Sequence, residues 1–484
     1  MNACASPFRL ILAAVVAIGL TAGNAFALEI EIAYADPSGY GFNDNTPYNG
    51  GPQTYGEVRR EAFEYAIEYW ESRLDGTIPI RLRAEFANLG GDATGAVLAG
   101  ASGRFWVRLT GDNKFLPIHL VNQIVESDLT PAGEWEIRIR FNADVDGDVA
   151  LGSMTWNYEL DSDPAGVPSF VRTTLHELTH GLGFADMINE NTGQWLIQDQ
   201  NDGQFYPSVY DTLLRLGDSP GTPLTSLSNS QRRDSVTSQN LFIGGTNLEA
   251  AFGGDRAPVY APESYAPGSS VSHYDQGAFS PPELMEPAQT DAEIRLGLAD
   301  KTLADFGWEL LGPDVLPALT FDSAGPVSVD EGHSFDLVLE LDGSATDQTV
   351  TFQIRQLGDA EEGVHYTLGT ASPSITPPDT STTVTVNTIA GSLDDSPVSF
   401  EFQLIRVVNA EFGSTRTVSG TIEPSAEEYD IPPAARAIGD LNNDGCVDFQ
   451  DFAFLLENWG TEFDGNPIAF ADFVALLENW GTGC

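Results

Sequence analysis

Between residues 55 and 74 (YGEVRREAFEYAIEYWESRL) apolar and aromatic side chains recur at helical spacing, with Phe63, Ala66, Ile67 and Trp70 on one face. That period predicts an amphipathic helix. Residues 28–34 (LEIEIAY) alternate instead, as do 78–86 (IPIRLRAEF) and 135–141 (WEIRIRF). Each reads as a half-buried strand. Residues 168–184 return to a helical pattern. A region that mixes these signals, 28–312, predicts an α+β domain.

The pattern changes after residue 312. The next stretch is rich in Thr, Ser and Val and alternates strictly. Phe335, Leu337, Leu339 and Leu341 share one face, as do Val350, Phe352 and Ile354, and Phe400, Phe402 and Leu404. Turn residues separate the runs, which predicts a β-sandwich over 313–424. Residues 425–437 (SAEEYDIPPAARA) have charge and a proline pair but no period, so they read as a linker. Beyond it DFAFLLENWG at 451–460 returns as DFVALLENWG at 472–481. Each copy carries a helical stripe: Phe452, Leu455, Leu456 and Trp459, then Phe473, Leu476, Leu477 and Trp480. Two short helices burying these stripes against each other form a small α-helical module over 438–484. The chain is therefore multidomain.

The amino terminus, 1–27, has one basic residue, Arg9, an apolar run from Leu10 to Leu20, and small residues ending Ala25-Phe26-Ala27. This is the layout of a secretory signal peptide, and it implies a secreted, extracellular or cell-surface location. The run is short for a membrane span, and no later segment is apolar enough to be one. Net charge is −49, with only two lysines, Lys114 and Lys301. So acidic a chain excludes nucleic acid and anionic membrane as partners. Of the three cysteines, Cys4 lies in the leader, leaving Cys446 and Cys484. The 28–312 region has no cysteine, so neither disulfides nor thiolate ligands serve it.

That region contains His176-Glu177-Leu178-Thr179-His180-Gly181-Leu182-Gly183-Phe184-Ala185-Asp186. On a helix, positions i and i+4 share a face, so His176 and His180 can hold one metal ion. Glu177 beside them can act as general base toward a water whose pKa zinc lowers to about 7. A catalytic zinc needs a third protein ligand, with water in the fourth place. Asp186 stands ten residues after His176, where compact H-E-x-x-H sites take their third ligand. His119 and His273 are the other histidines of the region; His333 and His365 fall in the sandwich.

A second metal motif precedes the C-terminal repeat. Asp440, Asn442, Asp444, Asp448 and Asp451 place oxygen ligands at loop positions 1, 3, 5, 9 and 12, with Gly445 at the sharp turn. The Cys446 carbonyl supplies position 7. This is EF-hand spacing for calcium, with Asp in place of Glu at position 12. The second copy, Thr461-Glu462-Phe463-Asp464-Gly465-Asn466-Pro467, lacks the ligand ladder, so one calcium is expected. Cys446 and Cys484 are placed to clamp the chain end as a disulfide; the alternative is two free thiols.

Three resemblances follow. The string HELTHGLGF, with Ser272-His273-Tyr274-Asp275 and Glu283-Leu284-Met285-Glu286-Pro287, resembles the leishmanolysin-type metzincins. That likeness implies a zincin fold over 28–312, His273 as the third zinc ligand, and Met285 as the Met-turn beneath the zinc. Tyr274 stands where the family has Trp, and the leishmanolysin cysteines are absent. PVSVDEGHSFDLVLEL, with GVHYTL and SFEFQL, resembles a Calx-β domain, which here reads as a spacer. Residues 438–484 resemble a type I dockerin with a degenerate second half, which raises a cohesin-like or cell-surface partner for that module. The expected function is a secreted zinc endopeptidase acting on proteins or peptides. The rival is an extracellular binding or adhesion protein with an inactive or structural zincin domain. Tyr274 and Tyr260 stand as candidates for stabilising the oxyanion.

Overall fold

The computed structural model describes residues 27–484 apart from 148–149, 162–166, 219, 291–292, 314, 324–326, 344–345, 347, 371–372, 394–395, 425–438, 442–445, 461, 464–465 and 483–484. The expected signal peptide and linker thus lie almost wholly outside the described residues. Among the described residues no helix is long and apolar enough to cross a membrane.

The first region is built on a four-stranded sheet. Strand β1 (Ile30–Tyr34) pairs parallel with β2 (Ile80–Ala87), and β2 pairs parallel with β4 (Ile137–Asn142). The fourth member, β3 (Ala99–Gly103), runs antiparallel to β4 and forms the edge of the sheet. Sequence periodicity predicts the other three and misses β3, because its residues, AGASG, carry no β-branched or aromatic side chain.

Two helices pack on this sheet. Helix α1 (Tyr55–Arg73) starts at a capping box in which Thr54 accepts from the Glu57 N–H and Glu57 reaches back to the Thr54 N–H. Its inner face buries Phe63, Ala66, Ile67 and Trp70. The short helix α2 (Ile118–Ile124) precedes β4. Helix α3 (Phe170–Gly181) carries the H-E-x-x-H motif, and Ser169 caps it by accepting from the Arg172 N–H. Trp70 donates its indole N–H to the Leu175 carbonyl at 3.3 Å, which ties α1 to α3. Gly181 lets α3 approach the sheet: a Cβ there would meet Ile137 Cγ2 at 2.6 Å. Phe42, Phe63, Phe86, Phe141 and Phe170 interlock between helices and sheet. After a small second sheet (residues 214–259), helix α4 (Ala299–Phe306) closes the region.

Residues 318–423 form two five-stranded sheets. Phe335 is half-buried, whereas Leu337, Leu339, Phe400, Phe402 and Leu404 are buried, as their alternation predicts. The pair does not hang from the first region as a spacer. Its buried side chains belong to one hydrophobic core with those of the first region. Arg406 reaches Glu68 on α1 through two hydrogen bonds, at 2.5 and 3.1 Å, and Tyr65 donates to the Val407 carbonyl at 3.0 Å. Arg355 pairs with Glu159, and Arg416 with Glu293 at 2.7 Å.

The repeat forms helices α5 (Phe449–Glu457) and α6 (Phe470–Glu478), with Leu455 and Leu476 buried between them. The expected stripes are only partly inward. Leu456, Trp459, Leu477 and Trp480 are about half exposed or more, from 48% to 59%. Leu456 and Leu477 sit about 100° round the helix from the inward leucines. Both tryptophans lie beyond the last helical residue.

His119 on α2 is fully buried and stacks on Trp308 at 5.9 Å. Burial holds its pKa down to about 3, with the Leu182 carbonyl acting the other way. The unfolded chain protonates this ring below about pH 6.5. The folded protein binds that proton only near pH 3, so this residue lowers stability as pH falls between the two values, by about 1.4 kcal/mol per unit. His119→Phe removes the effect. Urea unfolding from pH 6.5 to 4.5 is expected to show the variant gaining on the wild type by that slope; a pH-independent difference would contradict it.

Candidate metal centre

Helix α3 sets two imidazoles one turn apart, and a distant segment brings the third. Gly183, just past the C-cap, takes φ +126°, a conformation that suits glycine and turns the chain sharply off the helix. Residues 271–275 run beside 257–260, with Val271 N–H donating to Tyr260 O and Tyr260 N–H to His273 O. This places His273 opposite the motif helix. The Nε2 atoms of His176, His180 and His273 then lie 3.1, 3.1 and 3.2 Å apart. Among the described residues this is the one group of three or more His, Cys, Asp or Glu able to share a metal ion.

The second nitrogen of each ring decides what those Nε2 atoms are. Nδ1 of His176 faces Leu284 O at 2.8 Å, that of His180 faces Phe184 O at 2.6 Å, and that of His273 faces Ser269 O at 2.8 Å. A carbonyl oxygen only accepts, so each Nδ1 carries the proton and each Nε2 presents a lone pair. Burial holds the histidine pKa values down, to about 3 for His176 and about 4 for His180, so neither ring charges near neutral pH. His273 shifts the same way, from burial and then its two neighbours. Three lone pairs therefore converge with no proton among them. Tetrahedral zinc with nitrogens at about 2.0–2.1 Å needs those nitrogens roughly 3.3–3.4 Å apart. The triad fits a zinc ion and leaves one side open.

Glu177 is buried on the wall of the same cavity, which has a volume of about 680 Å3. Burial pushes its carboxyl up to about 8, against the pull of the Ala101 backbone N–H on β3. Val97, Leu98 and Ala99 line one side of the cavity, with Gly268, Ser269 and Ala288 also on its wall. The open edge of β3 thus borders the histidines.

The other expected residues fall as follows. Asp186 is not in the triad; its carboxylate accepts from Ser272 Oγ at 2.7 Å and from the Ile188 N–H at 3.1 Å. Met285 is fully buried and its carbonyl accepts from the Tyr274 N–H, while its neighbour Leu284 holds His176. Tyr274 is excluded as an oxyanion donor: it is fully buried, with its hydroxyl 2.6 Å from Thr302 Oγ1. Tyr260 does not line the cavity either. Sequence reasoning missed Arg172, one turn before His176. Its guanidinium donates to the carbonyls of Glu293 and Glu283, at 2.8 and 3.0 Å, and so fastens the Met285 segment to α3. An arginine one turn before the first motif histidine, on the same face of the helix, was the available signal.

In the C-terminal module Asp440 and Asp451 are buried. Asp451 accepts from the N–H groups of Leu441 and Asp448, at 2.6 and 2.8 Å, and Asp448 caps α5. Asn442, Asp444 and Cys484 lie outside the described residues. Cys446 is disulfide-bonded. In the second copy Ala469 occupies the place of Asp448, which removes one oxygen ligand.

No family model matches the chain and no curated protein matches it. Among solved structures it is similar to the apo form of the Calx CBD1 domain, at 13% identity and TM-score 0.20, covering 23% of this chain and 98% of that one. It is similar to the calcium binding domain CBD12 of CALX1.1, at 14% identity and TM-score 0.20, covering 22% of this chain and 44% of that one. A PapD-like domain of human CEP192 follows, at 10% identity and TM-score 0.16, covering 23% of this chain and 88% of that one. These neighbours are Calx-β and PapD-like domains.

Metal analysis of purified variants separates the two candidate third ligands. With zinc in excess, His273→Ala is expected to lose the ion, whereas Asp186→Ala keeps one equivalent. The reverse pattern would move the site to the compact arrangement.

Proposed function

We propose that the chain is a secreted zinc-dependent endopeptidase. The observation that carries this reading is the meeting of three deprotonated Nε2 atoms within 3.2 Å of one another beside the buried carboxyl group of Glu177. His176, His180 and His273 would hold the ion. Bound there, zinc supplies Lewis acidity and makes a water nucleophilic near neutral pH. Glu177 takes the proton of the attacking water and delivers it to the leaving amine nitrogen. Burial raises the proton affinity of Glu177, which favours the delivery step, and a cation bound at the adjacent histidines would favour the ionised form that accepts the proton.

The edge strand supports a peptide as substrate. β3 pairs on one side only, and its Gly95–Ala101 flank lines the cavity. An extended chain laid along such an edge gains main-chain hydrogen bonds without regard to sequence. The rival reading, a binding protein with a structural metal, leaves Glu177 without a role, because a closed structural site uses four protein ligands and no base.

We further propose that the C-terminal module binds one calcium ion through Asp440, Asn442, Asp444, the Cys446 carbonyl, Asp448 and Asp451. The spacing supports it, and residues 437–484 contain no Lys, Arg or His to offset these acids.

Two measurements test these readings. Glu177→Gln is expected to keep its zinc and to hydrolyse casein at least ~100-fold more slowly, with metal content and turnover read on one sample; wild-type turnover in this variant, or wild-type hydrolysis that survives a zinc chelator, would overturn the mechanism. Calorimetric calcium titration of the full chain is expected to lose one equivalent in the Asp440→Asn, Asp451→Asn double variant. No loss would place any calcium elsewhere.

A further inference from the structure

The third histidine reaches the motif helix from a segment far along the chain, and something must hold it there. His176 and His180 are fixed by the helix itself. His273 is fixed by residues 266–275, and this segment is under backbone strain. Val271 takes φ +73°, and it is a fully buried β-branched residue. A side chain branched at Cβ is rare in that conformation and stays there only where surrounding bonds impose it.

Those bonds are visible. Val271 donates its N–H to Tyr260 O at 2.8 Å, and its own carbonyl accepts from the Tyr210 hydroxyl at 2.5 Å. The next residue, Ser272, is bound twice by one partner. Its Oγ donates to Asp186 Oδ2 at 2.7 Å and accepts from the Asp186 N–H at 3.0 Å. Asp186 is in turn held in place. Its other carboxylate oxygen accepts from Ile188 N–H, and the adjoining Met187 N–H is held by both oxygens of Asp211 at 3.2 Å. Asp211 is fully buried and itself accepts from the Ser208 N–H and Oγ. A chain of bonds thus runs from the segment that leaves α3 to the residue directly before His273.

We infer that Asp186 is a positioning residue for the third ligand: through Ser272 it holds the strained Val271–His273 segment so that His273 Nε2 meets those of His176 and His180. This rests on the zinc reading above. Asp186 stands where a compact site would take its third ligand, and here that position grips the segment that delivers the ligand from elsewhere. The carboxylate is spent on Ser272 and Ile188, which accounts for its absence from the triad.

The test is zinc affinity, measured by competition with a chromogenic chelator, together with the visible absorption of the cobalt(II)-substituted protein. Ser272→Ala removes both bonds at the cost of one oxygen atom. It and Asp186→Ala are each expected to weaken zinc binding about 10–100-fold and to change the cobalt spectrum. The double variant is expected to be no weaker than the worse single variant, because both remove the Ser272 Oγ–Asp186 Oδ2 bond. Asp186→Asn, which can keep a hydrogen bond to Ser272, is expected to recover most of the affinity. Should Asp186→Ala fail to fold, Ser272→Ala and Asp186→Asn carry the comparison. Wild-type affinity and spectrum in Ser272→Ala, or losses that add in the double variant, would overturn the inference while leaving the zinc site standing. A wild-type protein that binds no zinc would overturn both.

Discussion

Three imidazole rings whose protons are all turned outward, toward backbone carbonyls, leave three lone pairs facing one another across about 3 Å. That arrangement is repulsive unless a cation stands among them. Much of the surrounding structure is explained by the need to impose it. The carbonyls of Leu284, Phe184 and Ser269 come from three separate segments, and each fixes one ring's tautomer and tilt. Gly183 turns the chain so that Phe184 can serve His180. Arg172 brings the Leu284 segment to the helix through the carbonyls on either side.

The sequence makes part of this legible. The i, i+4 spacing of His176 and His180 needs only a helix to become a pair, and the helix is written in the same residues. The strands β1, β2 and β4 show their alternation plainly. What the sequence hides is whatever depends on contacts between distant segments. β3 is made of small residues whose strand conformation comes from pairing with β4 and not from propensity. The role of Ser272 cannot be read without knowing that Asp186 faces it 86 residues away in the chain. The stripes in the C-terminal repeat mislead for a different reason. A heptad-like run of leucine and tryptophan suggests burial, but each helix stops before its tryptophan, so a helical period no longer governs where that side chain goes.

The β-sandwich changes meaning once its contacts are seen. Its arginines reach Glu68 on α1, Glu159 ahead of α3, and Glu293, whose carbonyl binds Arg172. Gln403 adds a bond to Asp161 at 2.5 Å. Three of these four partners belong to segments that flank the metal-site helix. The sandwich is therefore tied by ion pairs and hydrogen bonds to the first region as well as sharing a core with it.

The separation of 93 positions between His180 and His273 has a consequence for timing. A contact of such long sequence separation forms late, because the intervening chain must lose its freedom first. A nascent or partly folded chain can present the motif helix, with Glu177 and two histidines, well before the last ring arrives. Such a chain lacks a complete centre. On the reading proposed above, activity would wait for these long-range contacts, and a chain would gain it only when folding is nearly finished.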